Sequence, residues 1–261
     1  MKASLAIAAL FRERIARGEL RSGDPLPTEA ELVEELGAAK STVREALRIL
    51  ETEGLIEVKR GLGGGPRVRH PSIAEVARGV GVYLQIGDVL VTDVWESRDR
   101  IVGAAVERLA EQRAPEGVRE LTAAVDALRA LVGDFDAYYP QLLGIAETVV
   151  RAAGSETDYV LVVALRHVIA SELEAATRAI VDVDEAVAAE DDFTRRWDEV
   201  TRHVRAGHAR AAREAYDELA DVLRTGLADL LGFAGRRVVD VVGEGASAWA
   251  APALARQIAL D

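Results

Sequence analysis

The sequence predicts a mainly α-helical protein of two domains, a small N-terminal domain of three helices and a β-hairpin followed by an all-helical bundle. The elements before residue 72 are short and change from helical to alternating periodicity, whereas residues 73–232 consist of long segments with helical spacing of apolar residues. The 261 residues, 49% hydrophobic and 29% charged, suffice for a buried core and are typical of a folded chain.

Charge separates the same two regions. The net charge is −12, but residues 1–72 carry 12 basic and 11 acidic side chains, whereas the remainder carries 20 and 33. The absence of cysteine excludes disulfides, thiolate metal sites and a cysteine nucleophile, and it predicts a cytoplasmic protein. The longest apolar runs fall far below the roughly 20 residues of a membrane-spanning helix, so no membrane partner is expected.

The first two helices of the N-terminal domain are predicted from their end signals. Helix one ends at Gly18, and a turn over residues 23–27 follows. The spacing of Thr28 and Glu31 predicts a capping box that opens helix two, which Gly37 interrupts.

Helix three and a hairpin complete the domain. Helix three is expected to begin at Ser41 or Thr42 and to run to Glu53. Ile56 and Val58 then alternate with polar residues, as in a half-buried strand, and residues 66–69 can return as its partner. Three helices followed by a hairpin are the order of a winged helix-turn-helix, whose third helix enters the major groove of double-stranded DNA.

The outward face of helix three and the hairpin carry the side chains that could meet DNA. On the helix these are Lys40, Ser41, Thr42, Arg44 and Arg48, and on the hairpin Lys59, Arg60, Arg67 and Arg69. The structural alternative is that Arg44 and Arg48 lie on a solvated helix face and only form ion pairs with nearby glutamates. A nucleotide-binding interpretation of the glycine loop at residues 61–65 is disfavoured, because no Lys-Ser/Thr pair follows it.

Two segments, GELRSGDPLPTEAELVEELG and KSTVREALRILETEGLIEVKRGLGGG, resemble the DNA-binding domain of GntR-type transcriptional regulators over about residues 5–70. The long helical second domain resembles the FadR-like, or FCD, branch of that family. The resemblance implies a homodimeric repressor whose operator contacts are Lys40, Ser41, Thr42, Arg44 and, at the wing tip, Gly61. Ala30 stands where the family usually has an arginine, and Ala39 where it usually has Ser or Thr. Loss of one such phosphate contact should lower DNA affinity and flatten the salt dependence of binding by about one unit of slope.

Seven helices are predicted in the second domain, which extends over residues 73–232, before a C-terminal tail at residues 233–261 whose structure the sequence does not indicate. The helices are expected at 73–86, 89–113, 116–132, 134–153, 156–181, 185–206 and 209–232. Pro115 suits a first helical turn, Ser155 with Asp158 suits a cap, and Pro140 is expected to kink or shorten the fourth helix.

In the resembled branch most members hold a divalent metal in this bundle with one Asp and three His. The positions that correspond here are Leu142, Ala146, Trp197 and Leu219, so the resemblance predicts a metal-free, apolar effector pocket and no cofactor. The metal-free precedent in the branch implies a fatty acyl-CoA or another lipid-like acid as effector. Arg98 is the candidate for its anionic head group, and an ion pair of Arg98 with Glu96 or Asp99 is the structural alternative.

The other candidate ligands do not form a site by spacing. His203 and His208 are five residues apart, which does not place them on one helix face, and Arg195 stands where a third carboxylate would follow Asp191-Asp192. Besides the lipid-sensing regulator, three alternatives stay open: a regulator that senses a small carboxylate, an effector-independent DNA-binding factor, and an enzyme with a helical catalytic domain.

Overall fold

The computed structural model of the chain describes residues 2–59, 65–179, 183–231 and 237–238. These residues form ten helices and one two-stranded antiparallel hairpin, in the order three helices, hairpin, seven helices. The predicted fold class is therefore confirmed. The chain divides into two compact units between Glu75 and Val76.

The first unit is built on three helices and a hairpin. Its elements are α1 (Ala3–Ala16), α2 (Glu29–Leu36), α3 (Lys40–Thr52), β1 (Ile56–Lys59) and β2 (Gly65–Val68). One apolar core joins all of them and consists of Ala8, Phe11, Ile15, Leu26, Leu32, Val43, Leu50, Ile56 and Val68. Burial of each large aliphatic side chain contributes about 1.5 to 3 kcal/mol, so this small core holds the unit together.

Two details of the first unit differ from the prediction. α3 begins at Lys40, one or two residues earlier than expected, because Ala39 occupies the N-cap position and offers no side-chain hydrogen bond that would have marked it. Only Ile56 of β1 faces the core, whereas Val58 is 47% exposed. β1 therefore contributes one side chain to the core, whereas Pro66 and Val68 of β2 are both buried.

β2 is held on both edges. On one side it pairs with β1 in the register that sets Ile56 opposite Val68. On the other side the turn before α2 adds three backbone hydrogen bonds: Gly23 N–H to the Val68 carbonyl, Leu26 N–H to the Pro66 carbonyl, and Val68 N–H to the Asp24 carbonyl. The turn predicted over residues 23–27 therefore fixes the hairpin against the helices.

The second unit is a helical bundle. Its helices are α4 (Ile73–Ile86), α5 (Val91–Gln112), α6 (Pro115–Arg129), α7 (Phe135–Ala152), α8 (Glu156–Ala179), α9 (Val183–Ala206) and α10 (Ala209–Leu231). α5 is the central helix, because it packs against α7, α8, α9 and α10. No described helix is long and apolar enough to cross a membrane.

The helix starts follow the signals in the sequence. Ser72 and Glu75 form both bonds of a capping box, and Pro115 is the first residue of α6. The Asp158 amide donates to the Ser155 hydroxyl at 3.3 Å. Pro140 does not shorten α7, because the helix runs on through the proline, which removes one backbone hydrogen bond.

A short return of the chain closes the second unit. Of the predicted tail only Arg237 and Val238 lie among the described residues. The Val238 amide donates to the Val89 carbonyl at 2.9 Å, Arg237 pairs with Asp88 at 2.7 Å, and the Val238 side chain is buried. The chain beyond α10 therefore contacts the loop that precedes α5.

Candidate nucleic-acid interface and effector domain

The amphipathic helix α3 places its polar residues on the surface. Val43, Ala46 and Leu50 are fully buried, which fixes the orientation of the helix in the unit. The opposite face carries the predicted DNA-binding residues: Lys40, Ser41, Arg44 and Arg48 are exposed and Thr42 is half-buried. The structure therefore brings the five predicted residues of this helix onto one surface.

The amino end of α3 is open. Ala39 makes no side-chain capping bond, and its carbonyl accepts from the amides of Thr42 and Val43, so the amides of Lys40 and Ser41 are left without an acceptor at this end of the helix. The helix dipole adds partial positive charge at the same end. An anion can therefore be bound here by backbone amides together with Lys40 and the hydroxyls of Ser41 and Thr42.

Glu29 on α2 lies beside two of the three cations of this surface, Arg44 and Lys40. Nε and Nη2 of Arg44 donate to the two carboxylate oxygens of Glu29 at 3.3 and 2.9 Å. Lys40 Nζ lies 3.9 Å from the same carboxylate. Arg44 therefore forms an ion pair with a glutamate in the DNA-free protein, whereas Arg48 makes no ion pair in the described part of the chain.

The position of Glu29 is set by local sequence. Thr28 and Glu31 form the predicted capping box, and the bond from the Thr28 amide holds the pKa of the Glu31 carboxyl below its usual range. Glu29 is then the first residue of α2. Gly37 ends this helix in the left-handed conformation, which turns the chain tightly into α3 and brings Glu29 close to Arg44.

The hairpin adds further cations. Arg67 donates to the Gly23 carbonyl at 3.1 Å and Lys59 pairs with Glu57 at 3.0 Å. Arg69 pairs with Glu75 at 2.6 Å, and this bond lowers the pKa of the Glu75 carboxyl. Arg60 and Gly61, the predicted wing-tip residues, lie outside the described residues.

The four positions predicted for the effector pocket belong to one core of the helical unit. Leu142 and Ala146 of α7, Trp197 of α9 and Leu219 of α10 are all buried in it. The Trp197 ring lies 5.7 Å from the ring of Tyr216. The centre of the bundle is therefore apolar and aromatic at the positions that the resemblance singles out.

Arg98 is one of two charged side chains, with Glu190, that are buried among the described residues of this unit. It is only 3% exposed, and its Nη1 lies 3.1 Å from Oδ1 of Asp99, which also accepts a hydrogen bond from the Tyr216 hydroxyl at 3.3 Å. Burial raises the pKa of the Asp99 carboxyl, although Arg98 opposes the shift. The expected ion pair with Asp99 thus exists, whereas Glu96 pairs with Arg224 at 3.3 Å.

Two buried donors beside this pair have no acceptor. Nε of Arg98 and Nε1 of Trp95 make no hydrogen bond, and the Arg98 guanidinium carbon lies 5.6 Å from the centre of the Trp95 ring. A buried donor without an acceptor loses free energy, so a polar group that reached these atoms would bind favourably.

No group of three or more His, Asp or Glu side chains suited to a metal ion occurs among the described residues. The rings of His203 and His208 approach to 6.0 Å, closer than their spacing on one helix suggests, because Gly207 ends α9 between them in a left-handed conformation. Asp192 pairs with Arg195 and Arg196, and the bond from Arg196 is the main reason that its pKa is lowered.

Two features of these sites were not predicted. Glu29 and Arg44 are 15 residues apart on different helices, and Tyr216 is 117 residues from Asp99. A pairing of this kind depends on how the helices pack. The capping box of α2 was the only local signal near Glu29, and no signal in the sequence joins Tyr216 to Asp99.

A winged helix-turn-helix with a basic, exposed recognition helix, followed by a helical bundle, defines a DNA-binding transcriptional regulator. Comparison with known proteins agrees with this class. Residues 3–64 match the model of the bacterial regulatory proteins of the gntR family. The first unit therefore belongs to the GntR family of transcriptional regulators, and the helical second unit is consistent with the FadR-like branch of that family.

Individual relatives cover the chain to different extents. The mannosyl-D-glycerate transport/metabolism system repressor MngR of Escherichia coli is 51% identical over 57 residues, which are 22% of this chain and 24% of that protein. The HTH-type transcriptional regulator Mce2R of Mycobacterium tuberculosis is 29% identical over 221 residues, 83% of this chain and 88% of that protein. These relatives are regulators rather than enzymes.

A solved structure supports the fold. A Streptococcus agalactiae GntR protein covers 85% of this chain and 99% of its own, with a TM-score of 0.60 and 18% sequence identity. At this identity the likeness concerns the fold alone.

Proposed function

We propose that the protein binds operator DNA as a homodimer through α3 and the hairpin, and that an organic ligand in the helical unit alters this binding. The observation that carries the DNA-binding role is the open amino end of α3, where exposed Lys40, Ser41 and Arg44 surround unpaired backbone amides. Dimerisation follows from the two-fold symmetry of operators read by this class of domain.

The proposed DNA contacts are of two kinds, contacts to phosphates and contacts to base edges. Lys40, Ser41 and Thr42 meet the phosphate backbone beside the amino end of α3, which positions the domain. Arg44 and Arg48 lie further along the exposed face, where a guanidinium can donate two hydrogen bonds to a guanine edge. The resemblance implies that Gly61 at the wing tip contacts the adjacent minor groove, and Arg60, which precedes it, is a further candidate cation of the wing.

The effector is a largely apolar acid, of which a fatty acyl thioester or free fatty acid is the leading candidate. Leu142, Ala146, Trp197 and Leu219 would contact its apolar part, and Arg98 its anionic group. Two features support this assignment: the buried core at those four positions and the unpaired Nε of Arg98. A ligand of this kind can act only through unequal affinity for two arrangements of the dimer, and in a repressor it would favour the arrangement that releases DNA.

The DNA-binding role is tested by selecting binding sites from a random duplex library with the purified protein. An enriched two-fold symmetric sequence is expected, and its binding should be lost to a large extent in an Arg48→Ala variant. Arg210→Ala, which removes an exposed cation from α10, is the matched control. A library that shows no enrichment, or an Arg48→Ala variant with unchanged selectivity, would contradict the assignment.

The effector is tested by native mass spectrometry of the protein as purified, before and after denaturation. Release of an organic acid supports the apolar pocket, and its loss in an Arg98→Met variant would tie it to this side chain. Release of a divalent metal instead would restore the small-carboxylate alternative. A DNA affinity that no extracted metabolite changes would favour an effector-independent factor, in which the four core residues serve only packing.

A further inference from the structure

One face of α4 exposes large apolar side chains. Tyr83 is 76% exposed and Ile86 is 82% exposed, and Val76 and Val82 are exposed as well. Their spacings of three, four and seven residues place them on one side of the helix, as an apolar stripe. We propose that residues 239–261 of the same chain pack on this α4 stripe. The inference goes beyond the proposed function, because the stripe includes none of the proposed DNA or effector contacts.

The opposite side of α4 is apolar too and packs on the bundle. Ala77 and Gly81 are buried there, and a Cβ at Gly81 would lie 3.7 Å from the Val168 side chain of α8. Among the 14 residues of the helix only Glu75 and Arg78 are charged. A helix that is apolar all round is normally buried all round. The described residues cover one side only, so the stripe lacks its cover in this part of the chain.

Val238 brings the following residues of the chain to this stripe. Its amide donates to the Val89 carbonyl at 2.9 Å, and Val89 follows Ile86 by three residues. Residues 239–261 therefore start beside the carboxyl end of α4. The stripe extends from there over ten residues to Val76, which is about 15 Å at the rise of an α-helix. A flexible chain of 23 residues spans about 25 to 30 Å on average, so this segment can reach the whole stripe.

The composition of residues 239–261 suits an apolar surface. Fourteen of these 23 residues are apolar and four are charged, so the segment is more apolar than the chain as a whole, which is 49% hydrophobic. Its large side chains include Trp249, Leu254 and Ile258. Packing of these side chains on Tyr83 and Ile86 would remove apolar surface from water on both partners, which is the main driving force for such a contact.

Attachment to the same chain favours this segment over a second copy of the protein. A segment tethered at Val238 is present at the stripe at an effective concentration on the order of 1 mM, without any need to meet another molecule. A second copy would instead have to bring two stripes together across a two-fold axis, and its occupancy would fall on dilution. The two occupants therefore differ in a way that experiments can separate.

The first experiment measures iodide quenching of tryptophan fluorescence in the full chain. Of the three tryptophans, Trp95 and Trp197 are buried in the bundle, so Trp249 reports on the segment. We expect little quenching in the wild type. A double variant, Tyr83→Ser with Ile86→Ser, should make about one third of the fluorescence accessible to iodide, because one of three tryptophans is released.

A matched control removes an exposed apolar side chain elsewhere in the same unit. Leu161 of α8 is exposed to a similar extent as Val82, and Leu161→Ser should leave the quenching unchanged. Melting temperatures measured alongside should show that the variants are folded, since all the substituted side chains lie on the surface.

The second experiment uses the absence of cysteine from the chain. Ile86→Cys and Ala250→Cys are introduced together, and the protein is oxidised at low concentration. A disulfide within one chain is expected, seen as loss of free thiols without a change in electrophoretic mass. It should form about tenfold faster than the disulfide of the control pair, Leu161→Cys with Ala250→Cys, because docking raises the local concentration at α4.

Four results would overturn the proposal. In the wild type, Trp249 would be quenched by iodide to the full one third, or the double variant would show no more quenching than the wild type. The two cysteine pairs would form disulfides at equal rates, which would mean that the segment does not stay on the stripe. A disulfide-linked dimer from Ile86→Cys alone would assign the stripe to a second copy. None of these results depends on DNA binding, so the proposed function stands or fails separately.

Discussion

Replacing Glu29 by Gln would release the cations that this residue holds in the DNA-free protein. Both carboxylate oxygens of Glu29 accept hydrogen bonds from Arg44, at 3.3 and 2.9 Å, and Lys40 lies 3.9 Å away. Arg44 cannot donate its full set of hydrogen bonds to a base while Glu29 accepts two of them. The carboxylate therefore competes with DNA for the same guanidinium.

The expected change in DNA affinity depends on how far the Arg44–Glu29 ion pair is exposed to solvent. The side chain of Arg44 is 53% exposed and that of Glu29 is 29% exposed, so solvent screens the pair. Exposed ion pairs contribute about 0.2 to 1 kcal/mol, and the two-bond geometry places this one near the upper end. We expect Glu29→Gln to tighten DNA binding by about fivefold, the equivalent of about 1 kcal/mol.

The assay is fluorescence anisotropy with the selected operator and with a mixed-sequence duplex at two salt concentrations. Glu34→Gln, which changes an exposed carboxylate on the same helix, is the matched control for the change in net charge and should shift affinity much less. Weaker operator binding by a folded Glu29→Gln protein would refute competition, since it would mean that Glu29 holds Arg44 in the geometry that reads DNA.

Three other predictions concern single residues. Arg44→Ala should weaken specific operator binding by about 1 to 3 kcal/mol and relax selectivity at one base pair, and equal affinity in a competition binding assay would exclude a base contact. Gly207→Ala should lower the free energy of unfolding by about 1 kcal/mol or more, because Gly207 has φ +72 and the Arg113 side chain lies against it. Gly226→Ala inside α10 should instead stabilise the protein by about 0.5 to 1 kcal/mol. Thermal melts measure both variants, and equal shifts of the melting temperature would be inconsistent with this explanation. Burial raises the pKa of the Glu190 carboxyl above its unfolded value, so its contribution to stability is present at low pH and is lost as pH rises through the folded pKa. Glu190→Gln should therefore remove this loss of stability toward neutral pH in chemical denaturation curves, and an unchanged pH dependence would count against a titrating Glu190.

Local signals predicted the framework well. The capping boxes at Thr28 and Ser72, the proline that opens α6 and the glycine that ends α2 all lie where the sequence placed them. Each depends on residues within one turn of each other, so the sequence contains the whole interaction. The start of α3 was misplaced because the side chain of Ala39 carries no such signal.

Contacts between residues on different helices or strands could not be predicted from the sequence in the same way. Periodicity predicted which residues of α3 face outward, but not that Arg44 meets Glu29, because the contact depends on the angle between two helices. Val58 shows the same limit: alternation predicted a buried position, and the structure exposes it because the core ends at Ile56. In the bundle, the buried location of Arg98 beside Asp99 likewise depends on Tyr216 arriving from a distant helix.

The hydrogen bond from the Val238 amide to the Val89 carbonyl holds a residue that follows α10 against the segment that precedes α5. α10, which carries Tyr216 and Leu219, is thereby connected at its exit to the amino end of α5, the helix that carries Arg98. α10 and α5 are thus joined by their packed side chains, and Val238 adds a backbone hydrogen bond just before the start of α5. Closing a long loop also restricts the freedom of its ends, so the start of α5 is less free to fray than an ordinary helix terminus.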